Sequence, residues 1–189
     1  MTHEGRESWE TRHREATPGT PEPSLIEMMP LMARGLVLDI AAGAGRHAIA
    51  LARAGFRVVA VDYAATAMHQ MHATAAAEHL PIMPVVADLE DGLPFAPGSF
   101  DAVVNTNFLD RNLMPLLKSS LRIGGTLLFD TFLIDQAASG HPRDPRFLLR
   151  HYELREMLSD MELIRYREGL TVYSPEKSAW RATALARRI

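Results

Sequence analysis

The sequence predicts an α/β protein: a doubly wound, seven-stranded, mostly parallel sheet that closes with a C-terminal antiparallel hairpin. Three observations carry this expectation. Short apolar runs alternate with helical patterns along most of the chain. A glycine turn joins the first run to a helix, in the stretch VLDIAAGAGRHAIALARAGFRVVAVDYA, residues 37–64. The last two runs follow each other with no helix between them, so they can pair antiparallel.

The elements follow in order. Thr17 to Pro23, rich in Pro and Gly, separates a charged N-terminal stretch from the rest. Ser24 stands three residues before Glu27, the capping-box spacing, and Leu25, Ile26, Met28, Met29 and Leu31 give the short helix that follows an apolar side. Leu36 to Ile40 is the first strand. Arg46 to Ala54 is helical with Ile49, Ala50 and Leu51 inward, and Gly55 is its stop. Arg57 to Val61 is a strand, Ala65 to Leu80 an alanine-rich helix, and Ile82 to Val86 the third strand. A loop bracketed by Pro94 and Pro97 leads to a fourth strand at Ala102 to Asn105. Leu113 to Leu121 is a helix ended by Gly124-Gly125, and Thr126 to Phe132 is the fifth strand. After a polar loop, His151 to Asp160 reads as helix, with Leu154, Met157, Leu158 and Met161 on one side. Leu163 to Arg167 and Trp180 to Arg187 form the hairpin, turning near Ser174-Pro175.

Composition narrows the function. The chain has 189 residues, 47% hydrophobic and 23% charged, the profile of one globular domain. A formal net charge of −3 disfavours a nucleic-acid-coating surface. The absence of cysteine excludes disulfides, thiolate zinc sites and a cysteine nucleophile. No apolar run approaches the roughly 20 residues that cross a bilayer, and the charged opening is no signal peptide, so the expectation is a cytoplasmic protein without membrane partners.

Gly43, Gly45 and Ala48 satisfy the loose pattern G-x-G-x-x-[G/A], with Asp62 about 20 residues beyond the turn as a ribose-binding acid. Both nicotinamide dinucleotides and S-adenosylmethionine (SAM) suit that layout. Asp39, just before the turn, is awkward beside a pyrophosphate and comfortable near an ammonium or a sulfonium. Its alternative role is to satisfy backbone N–H groups of the turn.

D-x-x-x-G-x-G, as Asp39-Ile40-Ala41-Ala42-Gly43-Ala44-Gly45, resembles motif I of the class I SAM-dependent methyltransferases. The resemblance extends along nearly the whole chain, through Asp88-Leu89, LPFAPGSFDAVV, LRIGGTLLFDTF and the closing hairpin. SWETRHRE, NFLDRNLMPLL and PRDPRFLLRHYEL are similar to a small bacterial branch related to tellurite-resistance methyltransferases. The resemblance implies a Rossmann-like methyltransferase fold with SAM as cofactor. It implies cofactor contacts from Asp39, Ala41, Gly43, Gly45, Asp62, Asp88 and Leu89. Tyr63, next to Asp62, has a ring suited to packing on the adenine or in the core, and Asn105 and Asn107 can reach the methionyl part or simply end their strand. Ala41 stands where the family often has a glycine, and Arg122-Ile123 lacks the family's proline before the glycine pair.

The expected activity is methyl transfer to a small-molecule acceptor, anionic, thiol or chalcogen oxyanion. The alternatives are an NAD(P)-binding oxidoreductase and a non-catalytic SAM-binding regulatory protein. A good nucleophile needs no general base; if one is used, Asp110, His47 and Tyr63 are the candidates, with His47 expected to face solvent. Arg111, Arg143, Arg146 and Arg150 are candidates for an anionic acceptor, against the alternative of an exposed, salt-bridged loop. Residues 1–23 are expected to form an N-terminal segment able to close over the cofactor, with Trp9 and Arg12 contributing, and residues 24–189 the single domain. His69 and His72, three apart on a helix with no third ligand in view, are expected to face solvent, and no metal is expected.

Overall fold

A computed structural model describes residues 19–174 and 176–189. The sheet has seven strands: β1 (Leu36–Ile40), β2 (Arg57–Asp62), β3 (Ile82–Val86), β4 (Phe100–Thr106), β5 (Leu121–Phe132), β6 (Glu162–Ser174) and β7 (Lys177–Arg187). Their order is β3-β2-β1-β4-β5-β7-β6. The first five are parallel, and β7 runs antiparallel to both β5 and β6. Strand order therefore reverses between β1 and β4, the switch point where open α/β sheets bind ligands.

The helices are α1 (Pro23–Met28), α2 (Arg46–Arg53), α3 (Ala65–Ala77), α4 (Met114–Ser120), α5 (Gln136–Ser139) and α6 (Glu153–Met157). One face of the sheet, with Val37, Val58, Ala60, Val104 and Leu128, is covered by α1, α2 and α3 through Leu25, Met28, Ile49, Leu51, Met68 and Met71. The other face, with Leu38, Val103, Leu127 and Phe129, packs under Leu117 of α4 and Leu154 of α6. Each fully buried leucine among them contributes about 1.5–3 kcal/mol by leaving water. Among the described residues no helix is long and apolar enough to cross a membrane.

Several elements differ from expectation for local reasons. Ser24 does not cap α1. Glu22 is the N-cap without a side-chain cap bond, Pro23 starts the helix with its fixed φ, and the Ser24 hydroxyl donates to Asp130 instead. The helix expected over His151–Asp160 is only Glu153–Met157, because Tyr152 takes a left-handed conformation, φ +64°, and sets a later start. The strand β5 begins at Leu121, before the glycine pair, with a register irregularity against β4. The loop after β5 carries α5 and a short 3-10 turn, Pro145–Phe147, that alternation of apolar residues did not announce. Both hairpin strands are longer than expected, and Pro175 lies outside the described residues.

Candidate functional site

The carboxyl ends of β1, β2, β4 and β5 bring the sequence-selected residues to one edge of the sheet. The turn after β1 departs from extended geometry three times: Ala41 has φ +50°, Gly43 +53° and Gly45 +87°. Gly45 is also the N-cap of α2, and a Cβ there would lie 2.7 Å from Met71 Cγ, so only glycine fits. Ala41 adopts the left-handed region without that freedom, a local strain at the start of the turn. The turn is held by Ala42 N–H on Val61 O and Gly45 N–H on Ala42 O, both 3.0 Å.

Two carboxylates flank the turn and behave differently. Asp62 is buried, and its oxygens accept from Gly43 N–H and Ala64 N–H, each at 2.9 Å. It therefore fixes the middle glycine while standing at the end of β2. Asp39 is completely buried, yet neither oxygen has a hydrogen-bond partner among the described residues. Burial pushes its carboxyl up to about 7; the Ala48 backbone N–H, close by but short of hydrogen-bonding geometry, and the Arg46 guanidinium work in the opposite direction and are outweighed. A buried, unpartnered carboxylate is costly, and a cation placed beside it would remove the cost.

Asp88 Oδ1 accepts from Glu90 N–H at 3.0 Å and opens the 3-10 turn Leu89–Asp91, with Leu89 buried in the core. Tyr63 is half-buried against the core on the α2–α3 side. Asn105 is buried at the end of β4: its Nδ2 donates to Phe108 O at 2.8 Å, while Oδ1 has no partner among the described residues. Asp39 and Asn105 therefore each leave acceptor capacity at the switch point.

His47 corrects the sequence reading. It is 3% exposed, not solvent-facing. Its Nε2 accepts from Glu22 N–H at 3.2 Å, which leaves the proton on Nδ1 to reach Thr106 Oγ1 at 2.8 Å. Burial is the main cause pulling its imidazole down to about 3. With both nitrogens committed to the protein, His47 is not a candidate base. His69 and His72 face outward on α3, and among the described residues no three His, Asp or Glu side chains gather in a metal-binding arrangement. Asp110 Oδ1 accepts from Asn112 N–H at 2.9 Å within the turn after β4.

The four arginines separate in role. Arg111 is a staple: Nε and Nη2 hold Glu153 at 2.6 and 3.1 Å, Nη1 holds Arg146 O at 3.1 Å, and Nη2 holds Leu148 O at 2.9 Å. Four of its five N–H donors are engaged by the protein, so Arg111 acts as scaffold here, where the sequence alone had offered it as an acceptor ligand. Arg146 pairs with Asp144 at 2.6 Å and Arg150 with Glu153 at 3.4 Å, both from exposed positions. Arg143 is exposed, donates to Gly140 O at 3.3 Å, and has no carboxylate partner among the described residues. Trp9 and Arg12 lie outside the described residues.

Sequence reasoning missed the polar side chains that join the cleft to α1. Glu22 Oε1 accepts from Arg46 at 3.0 Å and from Asn107 Nδ2 at 3.2 Å. Asp130 of β5 is buried against Arg181 of β7, Nε to Oδ1 at 2.8 Å. Asp130 in an apolar strand was the one signal available in the sequence.

Residues 37–124 match the family model of a methyltransferase domain. An uncharacterized protein of Mycobacterium tuberculosis is 38% identical over 84 residues, 44% of this chain and 30% of that protein. The chain thus matches under a third of the length of that curated relative. Among solved structures, TehB from Haemophilus influenzae is similar with a TM-score of 0.76 at 22% identity, covering 89% of this chain and 63% of that one. A geranyl diphosphate C-methyltransferase from Streptomyces coelicolor A3(2), solved with Mg2+, geranyl diphosphate and S-adenosyl-L-homocysteine, is similar at TM-score 0.70 and 14% identity, covering 97% of this chain and 98% of that one. At these identities the structural likeness is one of fold.

Proposed function

We propose that this chain, which carries a methyltransferase domain on the class I SAM-dependent fold, transfers a methyl group from SAM to a small-molecule acceptor. The observation that carries the proposal is Asp39, a buried carboxylate with two unused oxygens beside a glycine turn at the switch point. A cationic ligand fits it; a pyrophosphate does not, which disfavours the NAD(P) alternative. Asp39 and Asn105 have acceptor capacity for the methionyl end, Asp62 for the ribose hydroxyls, and Asp88, Leu89 and Tyr63 stand at the adenine side.

Bound there, SAM supplies an electrophilic methyl group on a sulfonium. The chain's part is to hold the acceptor in line with that methyl and to exclude water. Among the described residues His47 is engaged by the protein on both nitrogens, which suits an acceptor that brings its own lone pair, a thiolate or a chalcogen oxyanion. Arg143, without a carboxylate partner among the described residues, is the least engaged of the four guanidiniums and the one we assign to an anionic acceptor. Residues 1–23 would close the cleft, a reading supported by Glu22, which ties the start of α1 to Arg46 beside the glycine turn.

Titration calorimetry with SAM, S-adenosylhomocysteine and NADH tests the cofactor. Asp62→Ala should weaken SAM binding by about 1.5–3 kcal/mol, the range for hydrogen bonds to a charged group. Tight NADH binding with no heat from SAM would overturn the proposal. A screen of thiols and chalcogen oxyanions, read as conversion of SAM to S-adenosylhomocysteine, tests the acceptor class.

A further inference from the structure

The polar side chains at the carboxyl ends of β4 and β5 form a closed ring of hydrogen bonds that the cofactor reading leaves unused. Arg181, on β7, is 3% exposed. Its Nε donates to Asp130 Oδ1 at 2.8 Å, and Nη2 donates to Asn107 Oδ1 at 2.7 Å. The guanidinium lies over the Phe132 ring, 4.5 Å from its centroid. Asn107 Nδ2 passes the ring on to Glu22 Oε1 at 3.2 Å. Two residues later Ser24 returns it, its hydroxyl donating to Asp130 Oδ2. Thr183 Oγ1 donates to Asp130 Oδ1 at 3.1 Å and completes the carboxylate's set.

Two features indicate that this ring supplies position more than stability. A buried arginine–aspartate pair is a weak source of stability, because desolvation cancels much of the attraction and apolar residues of similar volume serve a core as well. Asn107, moreover, is exposed, and its left-handed backbone, φ +58°, which asparagine tolerates better than most residues, is pinned from three directions. Its N–H on Asp130 O at 2.9 Å and both ends of its side-chain amide keep it there. From Asn107 the chain turns through Phe108 to Arg111, the staple that grips the backbone oxygens of Arg146 and Leu148. A displacement of Asn107 is therefore passed to the loop after β5.

We infer that Arg181 is a positioning residue, which fixes the turn after β4 and, through Arg111, the loop over the acceptor side. It acts on this wall and makes no hydrogen bond to the glycine turn among the described residues. The inference rests on the methyltransferase proposal only for what that loop covers.

Two variants separate positioning from charge pairing. Arg181→Lys keeps the charge beside Asp130 but lacks the rigid fork that serves Asp130 and Asn107 together. Asn107→Gly accepts the left-handed backbone and deletes both amide contacts. Hydrogen exchange by mass spectrometry is measured on the full chain with saturating S-adenosylhomocysteine. In both variants residues 107–113 and 145–150 should exchange about tenfold faster or more, an opening confined to the wall. Residues 126–132 and 182–187 should stay as protected as in wild type in both variants, and in Arg181→Lys the S-adenosylhomocysteine Kd should remain within about threefold. Unchanged exchange of turn and loop in both variants overturns the inference. So does a loss of protection through the whole sheet, which would make the ring a core support. If the wild type binds no S-adenosylhomocysteine, the cofactor proposal fails instead, and the same comparison on the ligand-free chain still decides the role of Arg181.

Discussion

Replacing Asp39 with Asn should stabilise the protein at pH 8 and do much less at pH 5. The carboxyl is fully buried, has no hydrogen-bond partner among the described residues, and is pushed from 3.8 up to about 7. At 1.36 kcal/mol per pKa unit, holding it ionised in the fold costs about 4 kcal/mol. The native state keeps a proton that the unfolded chain has released between about pH 4 and 7, so this group makes stability fall as pH rises through that window and level off above it. At pH 5 only the first part of the fall has occurred, and the larger part of it remains before pH 8. The Asn amide is itself unpaired and costs about 1–3 kcal/mol, so the net gain at pH 8 is about 1–3 kcal/mol. For a chain of this size each kcal/mol moves Tm by about 2–4 °C, and the two proteins should converge or cross at pH 5. His47 contributes the opposite slope, because its imidazole is pulled down to about 3 and the native state binds fewer protons between there and 6.5. That contribution is common to both proteins and cancels in their difference. Thermal melts of the pair at pH 5 and pH 8 make the measurement. Calorimetry of SAM binding at pH 7 in buffers of different ionisation heat adds a second reading: wild type should release part of a proton as the cation ionises Asp39, and Asp39→Asn should release none from this group and bind more weakly. A Tm offset that is the same at both pH values, or a variant less stable than wild type at pH 8, would refute the account of Asp39.

Ala41→Gly should stabilise by about 0.5–1 kcal/mol, since leaving a left-handed alanine recovers about 1–2 kcal/mol and the added freedom of glycine in the unfolded chain returns about 0.4–1. Denaturant melts check it, and a destabilised variant would mean that φ +50° at Ala41 carries no strain. Arg111→Ala should cost about 1–3 kcal/mol by leaving the Glu153 carboxylate and two backbone oxygens short of partners. Arg143→Ala should change stability by less than about 0.5 kcal/mol while raising the KM of an anionic acceptor; the reverse pattern in melts and kinetics would exchange their roles.

The fold was legible because its signals are local. Leu36 to Ile40, the turn through Gly45 and the helix from Arg46 are adjacent in sequence, so strand, turn and helix could be read from one stretch of 18 residues, 36 to 53. Asp39 and Asp62 were legible for the same reason: each ends a strand beside a recognisable turn. Boundaries failed where one residue's backbone decided them, as at Tyr152, whose left-handed conformation shortens α6, or Pro23, which starts α1 and frees Ser24 for a distant partner. Hydrophobic periodicity carries no information about either.

His47 and Arg181 were misread or missed because their partners are remote in sequence. His47 meets Thr106 across 59 residues and Glu22 across 25, and Arg181 reaches Asn107 across 74. A polar residue in a helix's first turn is solvated unless something covers it, and what covers His47 is an α1 segment that the sequence places only as a short helix after a proline-rich break. Charge alone misleads in the same way. Four arginines near one loop suggest an anion site, but a guanidinium is available to a ligand only if the fold does not already engage it, and Glu153 and two backbone oxygens engage Arg111. Arg143 and Arg111 are the same residue type, and what separates them as ligand candidates is that Arg143 has no carboxylate opposite it among the described residues. Which charges are free for a ligand is thus decided by which ones the folded scaffold leaves unmatched, and that is a property of the packing and not of the motif.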